Sequence, residues 1–298
     1  MSNTDVAREA CLEAGLSPSG IQAVHEHATA VFVHKPAGVV IRVSSTAQDQ
    51  NAALRAVAMT GWLVGHGFPA TAPAPGLPPI QVRGRTVTFW RYYPQLRHEP
   101  PPAGHLGYLL RDLHRLPQPP IALPPYPPLK DLAEALTDNG ALAREDKAWL
   151  LERRAELVSA YQHMSTVLGT GLIHGDAYPG NMLWDGDRVI LSDWDEVATG
   201  ARELDLINIY LQGKRFGRPH QELRAFATAY GYDVTLWPGF SLLIEMRSLH
   251  TLGSFIRLAA AGSESAQTEL AHRIYTLKAG QADARWHPAG PAVNTRNE

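Results

Sequence analysis

The stretch Leu172 to Asp195, reading LIHGDAYPGNMLWDGDRVILSDWD, constrains the fold more than any other part of the chain. Two short apolar runs, Asn181 to Trp184 and Val189 to Ser192, flank Asp185-Gly186-Asp187, and strand signals on either side of so tight a turn signal predict a β-hairpin. His174-Gly175-Asp176 precedes the hairpin, and Asn181 follows across the Pro179-Gly180 turn. Asp193 ends the second strand. A hairpin of this kind can bring Asn181 and Asp193 onto one metal ion, an amide and a carboxylate both being hard oxygen ligands, while Asp176 points across at a second reactant.

Around this stretch the rest of the chain divides by composition. After a short polar helix ending near Gly15, Ala30 to Ser44 reads as a hairpin turning at Lys35-Pro36-Ala37-Gly38. An alanine-rich helix follows over Asn51 to Gly65, with Leu54, Ala58, Trp62 and Leu63 assigned to one face, and then a β pair, Ile80 to Val82 and Thr86 to Tyr92. Between Pro94 and Pro128 prolines are so frequent that only the helix His105 to Leu116 is expected. The domain boundary is placed there, giving a β-rich unit over 1–93 and a helical unit over 94–298. In the helical unit a long helix is expected over Glu145 to Leu168, stopped by Gly169 and Gly171. Later helices are expected at Glu203 to Leu211, Gln221 to Tyr230, Phe240 to Ala260 and Ala266 to Ala279. The tail after Pro288 reads as disordered.

Bulk properties exclude several classes of function. A net charge of −2, from 27 basic and 29 acidic residues, gives no long-range basic field for nucleic acid or anionic membrane. Cys11 is the only cysteine, so an internal disulfide and a cysteine-rich metal site are both impossible, which suits a reducing cytoplasm. Asp5, Arg8 and Glu9 stand where a signal peptide would have its apolar stretch. The most apolar window, Phe240 to Leu258, is interrupted by Glu245, Arg247, His250 and Arg257, so no membrane span is expected. His25, His27, His98, His105 and His114 show no metal-ligand spacing and read as scattered surface residues.

Phosphoryl transfer to an alcohol needs a carboxylate that orients the hydroxyl and accepts its proton, and oxygen ligands for Mg²⁺ on a nucleoside triphosphate. Leu172 to Asp195 holds that set. Here the chain resembles the aminoglycoside phosphotransferase and choline-kinase group, relatives of the protein kinases. The HGDxxxxN loop of that group matches His174, Gly175, Asp176 and Asn181, and its second acidic motif matches Ser192-Asp193-Trp194-Asp195. The order of elements agrees over nearly the whole chain. The resemblance implies an α+β, bilobal protein-kinase-like fold with a small β-rich N-lobe and a larger helical C-lobe that carries the acceptor pocket. It implies Asp176 as catalytic base, Asn181 and Asp193 as Mg²⁺ ligands, and His174 and Asp205 as supports of the loop. Asp195 would bind metal or substrate, or act as a loop cap.

In the first half, Arg42 sits where kinase-like enzymes place the cation that touches the α and β phosphates. Val87 to Pro94 resembles the strand and hinge that hold a purine, through groups near Trp90, Arg91 and Tyr92. Two departures stand out. Protein kinases pair the phosphate-binding cation with a helix glutamate, whereas Asp49 is the only acidic residue from Lys35 to Arg97; either Asp49 takes that place or the pair is missing. The segment His25 to Thr29 also lacks the glycine-rich pattern of a phosphate-covering loop. The resemblance implies a monomeric or homodimeric enzyme using ATP, or GTP, on a small molecule with a free hydroxyl, an antibiotic first. Acidic residues after Asp195, among them Glu196, Glu203, Asp205, Asp233, Glu245, Glu264 and Glu269, are dispersed, so a less cationic acceptor than an aminoglycoside is at least as well supported. Glu245, Arg247 and His250 would line an acceptor cleft or form a buried ionic group. A metabolite kinase and a non-catalytic pseudokinase are the competing readings.

Overall fold

The computed structural model describes residues 2–26, 30–44, 47–97, 99–137 and 142–288. His27-Ala28-Thr29, the side chains of His25 and Asp49, His98 and the tail after Pro288 lie outside the described residues. In chain order the first elements are α1 (Asn3–Glu13), β1 (Ile21–Glu26), β2 (Ala30–His34), β3 (Val39–Val43), α2 (Ala47–Gly65), β4 (Ile80–Val82), β5 (Arg85–Arg91) and α3 (Ala103–Leu113). Next come α4 (Lys130–Thr137), α5 (Arg144–Gln162), β6 (Thr170–Ile173), β7 (Met182–Asp185), β8 (Arg188–Leu191) and β9 (Ala198–Ala201). The chain then runs through α6 (Glu203–Phe216), α7 (His220–Tyr230), α8 (Phe240–His250), α9 (Leu252–Ala260) and α10 (Glu264–Lys278). These elements gather into two compact units, Met1–Pro124 with His174–Ala198, and Pro125–Ile173 with Thr199–Glu298. The boundary read near Tyr93 falls inside the first unit, which also takes in α3 and the whole loop-and-hairpin segment.

In the first unit an antiparallel sheet runs in the order β1-β2-β3-β5-β4. Side chains alternate across a strand, so Val39, Ile41 and Val43 are buried while Val40 and Arg42 take the other face. The buried set packs with Phe32, Val87 and Phe89 against Val6, Ala7, Ala10 and Cys11 of α1. One face of the sheet is thereby sealed, and the alternation sends Arg42 to the opposite face. On α2 the buried stripe is Ala56, Met59, Thr60 and Leu63, whereas Leu54 is exposed. The face read from Leu54 and Ala58 was therefore out of phase. Alanines on every side blur the helical period, and Thr60 enters the core because its hydroxyl donates to the Ala56 carbonyl at 2.8 Å.

The β7–β8 hairpin forms where it was expected, with Asp185 opposite Arg188 across the turn and Gly186 at φ 62°. It joins the first unit through backbone bonds that leave no sequence pattern. Thr71 N–H donates to the Leu191 carbonyl, and Leu191 N–H donates to that of Pro69, at 3.0 and 2.9 Å. The Gln95 side chain makes a reciprocal pair with the backbone of Trp184, at 2.9 and 3.1 Å.

In the second unit β6 pairs with β9, while α8 packs against α5 and α6, and α9 against α4 and α10. Two expectations change here. Helix α5 stops at Gln162 instead of reaching Leu168, because the Val167 and Leu168 amides donate to the Glu203 carboxylate at 2.6 and 2.8 Å rather than continuing the helical ladder. The single helix read over Phe240 to Ala260 is two, α8 and α9, divided at Thr251, whose hydroxyl bonds the Ser248 carbonyl and accepts from Arg273. His114, read as a surface residue, is buried at the end of α3. Among the described residues no helix is long and apolar enough to cross a membrane.

His250 makes this unit acid-sensitive. Burial, with Arg247 and Arg257 nearby, pushes its imidazole down to about 3. The folded state thus resists a proton that the unfolded chain accepts near 6.5, so this contribution is intact above that pH and is lost as pH falls toward 3. The ring keeps some solvent contact, so the expected loss between pH 6.5 and 5 is about 1 kcal/mol, below the full linkage value. Urea unfolding of wild type and His250→Gln over that range should show the difference between them closing as pH falls.

Candidate active site

Three residues hold the loop before the hairpin in one conformation. His174 is fully buried; its Nδ1 accepts from the Asp176 amide at 3.3 Å, which places the ring proton on Nε2, 3.0 Å from the Ser192 carbonyl. Its ring lies 4.5 Å from that of Trp194, which packs edge-on against Phe68 and donates from Nε1 to the Leu191 carbonyl. Gly175 has φ 85°, and a Cβ there would collide with the Glu196 carbonyl oxygen, so only glycine fits.

Asn181 ties the loop to the far end of the hairpin. Its Nδ2 donates to the Asp176 carbonyl at 2.9 Å, leaving Oδ1 as the side chain's remaining donor of lone pairs. Its own carbonyl accepts from Ser192 N–H and Oγ at 2.8 and 2.9 Å. Asn181 is thus held beside Ser192, the residue that precedes Asp193. Asp193 is exposed and sits at φ 65°, a left-handed conformation that is uncommon for any residue but glycine and is concentrated at functional sites.

Arg42 meets this end of the hairpin. Its Nη2 lies 2.6 Å from Asp195 Oδ2 and 3.2 Å from Asp193 Oδ1. Burial alone would lower the guanidinium pKa, but Asp195 and Asp193 outweigh it and the net direction is up, so the cation is held charged. The sequence places these residues about 150 positions apart, and nothing in the spacing announced the pair.

Of the three residues at the end of β5, Trp90 is buried, with its indole N–H on Thr88 Oγ1 at 2.9 Å. The Arg91 guanidinium lies over the Tyr93 ring at 5.1 Å and 3.6 Å from Asp185. The Arg91 and Tyr92 amides donate to the carbonyls of Ala72 and Gly38 at 2.9 and 2.8 Å, so neither is turned to a ligand. Gln95, which clamps the following segment to β7, has no signature that sequence reading would find. Asp205 belongs to the other unit, where it is buried in the first turn of α6.

Within the helical unit a cavity of about 600 Å³ is lined by α5, α8 and the ends of α6 and α10. Arg153 forks onto Glu245, Nε to Oε1 at 2.5 Å and Nη2 to Oε2 at 2.7 Å, and reaches Glu156 at 2.5 Å. The hydrogen bonds to Glu245 keep Arg153 charged, raising its pKa further. Glu245 is therefore both an ion-pair partner and a wall residue. The charged lining comprises Glu152, Glu156 and Glu245 against Arg153, Lys214, Arg215 and Lys278, so the wall is balanced rather than acidic.

The sequence pattern of the phosphotransferase enzyme family matches residues 21–243, three quarters of the chain, including every loop residue above. The chain belongs to that family. As a phosphotransferase it is similar in structure to an amicoumacin kinase in complex with AMP-PNP, Ca²⁺ and Ami, with TM-score 0.73 and 13% identity over 96% of this chain and 98% of that one. It is also similar to a microcompartment-associated aminopropanol kinase, TM-score 0.68 and 15% identity over 94% and 99%. A third likeness is to the aminoglycoside phosphotransferase APH(3'')-Id from Streptomyces rimosus, TM-score 0.63 and 17% identity over 84% and 99%. Identities so low speak for a shared kinase-like α+β fold. No curated protein matches by sequence.

If Gly175 is required by space and backbone angle, Gly175→Ala should lower stability by about 2 to 3 kcal/mol in a thermal or urea melt. Gly186→Ala, with nothing within reach of an added Cβ, should cost only about 1 kcal/mol for its φ.

Proposed function

We propose that this phosphotransferase moves the γ-phosphoryl group of ATP, or GTP, onto a hydroxyl of a small molecule, with Asp176 as the catalytic base. The observation that carries this is the single hydrogen-bonded frame that runs from Asp176 through Asn181 to Ser192 and Asp193, with a half-buried cation, Arg42, on its carboxylate end. Solved structures of related fold were obtained with AMP-PNP, ADP or GDP. Among the described residues no three His, Cys, Asp or Glu side chains form a metal site of their own. One amide oxygen and one carboxylate do fit an ion that draws its remaining ligands from a nucleotide's phosphates, which is how Mg²⁺ is usually held. Asn181 Oδ1 and Asp193 would hold it, and the ion would neutralise charge on the transferring group.

The remaining steps belong to the chain's own residues. Asp176, half-exposed and carried on a backbone fixed by His174 and Asn181, orients the acceptor hydroxyl and takes its proton. Arg42 offers a cation to the phosphates, and its planar fork suits two oxygens at once. With the Arg91 and Tyr92 amides committed to protein carbonyls, the purine is left to other groups of the segment after β5. Within its own unit the loop is supported by His174. We place the enzyme in the cytoplasm.

For the acceptor we propose the helical-unit cavity, whose volume lies within the usual range for small-molecule sites. A polycationic aminoglycoside calls for an acidic wall, whereas this wall carries compensating arginine and lysines. That favours a less cationic acceptor, an antibiotic of peptide, macrolide or nucleoside type. The same balance supports a metabolite kinase, the second reading.

Mg²⁺-dependent transfer from ATP and GTP should be followed over a panel of antibiotics and hydroxylated metabolites. Wild type is expected to phosphorylate at least one member, a neutral or zwitterionic one ahead of kanamycin. Asp176→Asn should lose turnover by roughly a thousandfold while keeping nucleotide affinity. Nucleotide binding without turnover of any acceptor would instead favour a pseudokinase.

A further inference from the structure

The cation on β3 lacks the helix glutamate that protein kinases provide, and what replaces it is visible in the first unit. Helix α2 contains one acidic residue, Asp49, in its first turn, and none beyond it. Arg42 instead reaches two carboxylates at the end of the hairpin. They are not equivalent. Asp195 holds the shorter contact, 2.6 against 3.2 Å, and is the less exposed, its side chain 31% accessible against 46% for Asp193. Between them Trp194 is fully buried, fastened by its indole N–H and by the His174 and Phe68 rings, so the spacing of the two carboxylates is fixed by the core.

We propose that Asp195 is the positioning residue for Arg42, taking the part of the absent helix glutamate. This rests on the reading that Arg42 meets the phosphates of a nucleotide. The physical case is one of charge and geometry. A long side chain at the sheet face needs a fixed counter-charge to stay in one rotamer, and a carboxylate 2.6 Å away supplies it through a charge-assisted hydrogen bond. If Asp193 is a metal ligand, it would be drawn from Arg42 on nucleotide binding, whereas Asp195 would stay and keep the guanidinium in place. The acidic motif thereby combines two tasks, metal ligation at Asp193 and cation placement at Asp195, and a glutamate on α2 is not required.

A double-mutant cycle on Arg42→Ala and Asp195→Ala tests this, with two readouts. In thermal unfolding of the nucleotide-free protein each single variant should lower Tm by about 2 to 4 °C, and the double variant should fall no further than the weaker single. In titrations with AMP-PNP and Mg²⁺ each single should weaken binding roughly tenfold and the double by no more, Asp195→Glu should restore most of the affinity, and Asp49→Asn should match wild type. Additive losses in both readouts would overturn the proposal. So would recovery of the Asp195→Ala loss by excess Mg²⁺, which would make Asp195 a metal ligand, or a loss in Asp49→Asn equal to that of Arg42→Ala. If wild type fails to bind AMP-PNP the functional reading fails instead, and the thermal cycle alone then decides the pairing.

Discussion

The candidate site depends on a buried imidazole with both nitrogens in use. His174 takes a hydrogen bond from the Asp176 amide and gives one to the Ser192 carbonyl, so the loop and the strand that follows the hairpin turn are referred to one rigid ring. A neutral histidine can do this because it is donor and acceptor at once, which no aliphatic or singly functional side chain offers at that size. Gly175 is the complement of that arrangement. The chain must turn through a left-handed conformation against the Glu196 carbonyl, where a side chain has no room.

Electrostatics then sets which groups the frame presents. Two carboxylates facing one guanidinium leave the hairpin end with a negative balance, which favours a further cation there. The left-handed backbone at Asp193 belongs to the same design. The cost of that conformation is offset by Trp194, whose burial immediately afterwards anchors the strained residue. In the helical unit, a comparable economy appears at Glu203. Fully buried, it accepts the amides of Val167 and Leu168 and so ends one segment of chain well before its helix-breaking glycines.

Much of this was readable because the informative residues are local. His174, Gly175, Asp176 and Asn181 lie within eight positions, and the Asp185-Gly186-Asp187 turn fixes the register that sets Asn181 beside Ser192. The phase of α2 was not readable, since alanines present no contrast between its faces and a threonine entered the core by bonding its own backbone. Nor was the break at Thr251, where no glycine or proline stands at the junction and the dividing contact comes from Arg273. Gln95 and Glu203 were invisible for a related reason: a polar side chain that satisfies a distant backbone looks, in sequence, like any surface residue.

The sequence by itself determined the α+β class, the strand alternation that carries Arg42 away from the sealed face, and the loop and hairpin around Asp176, because periodicity and turn residues act over a few positions. The tertiary structure decided Arg42's partners, the regrouping of segment 174–198 with the sheet, and the balanced charge of the helical cavity. Those are meetings of residues far apart in the chain. Their energies depend on distance and burial in space, and neither quantity is encoded in linear spacing.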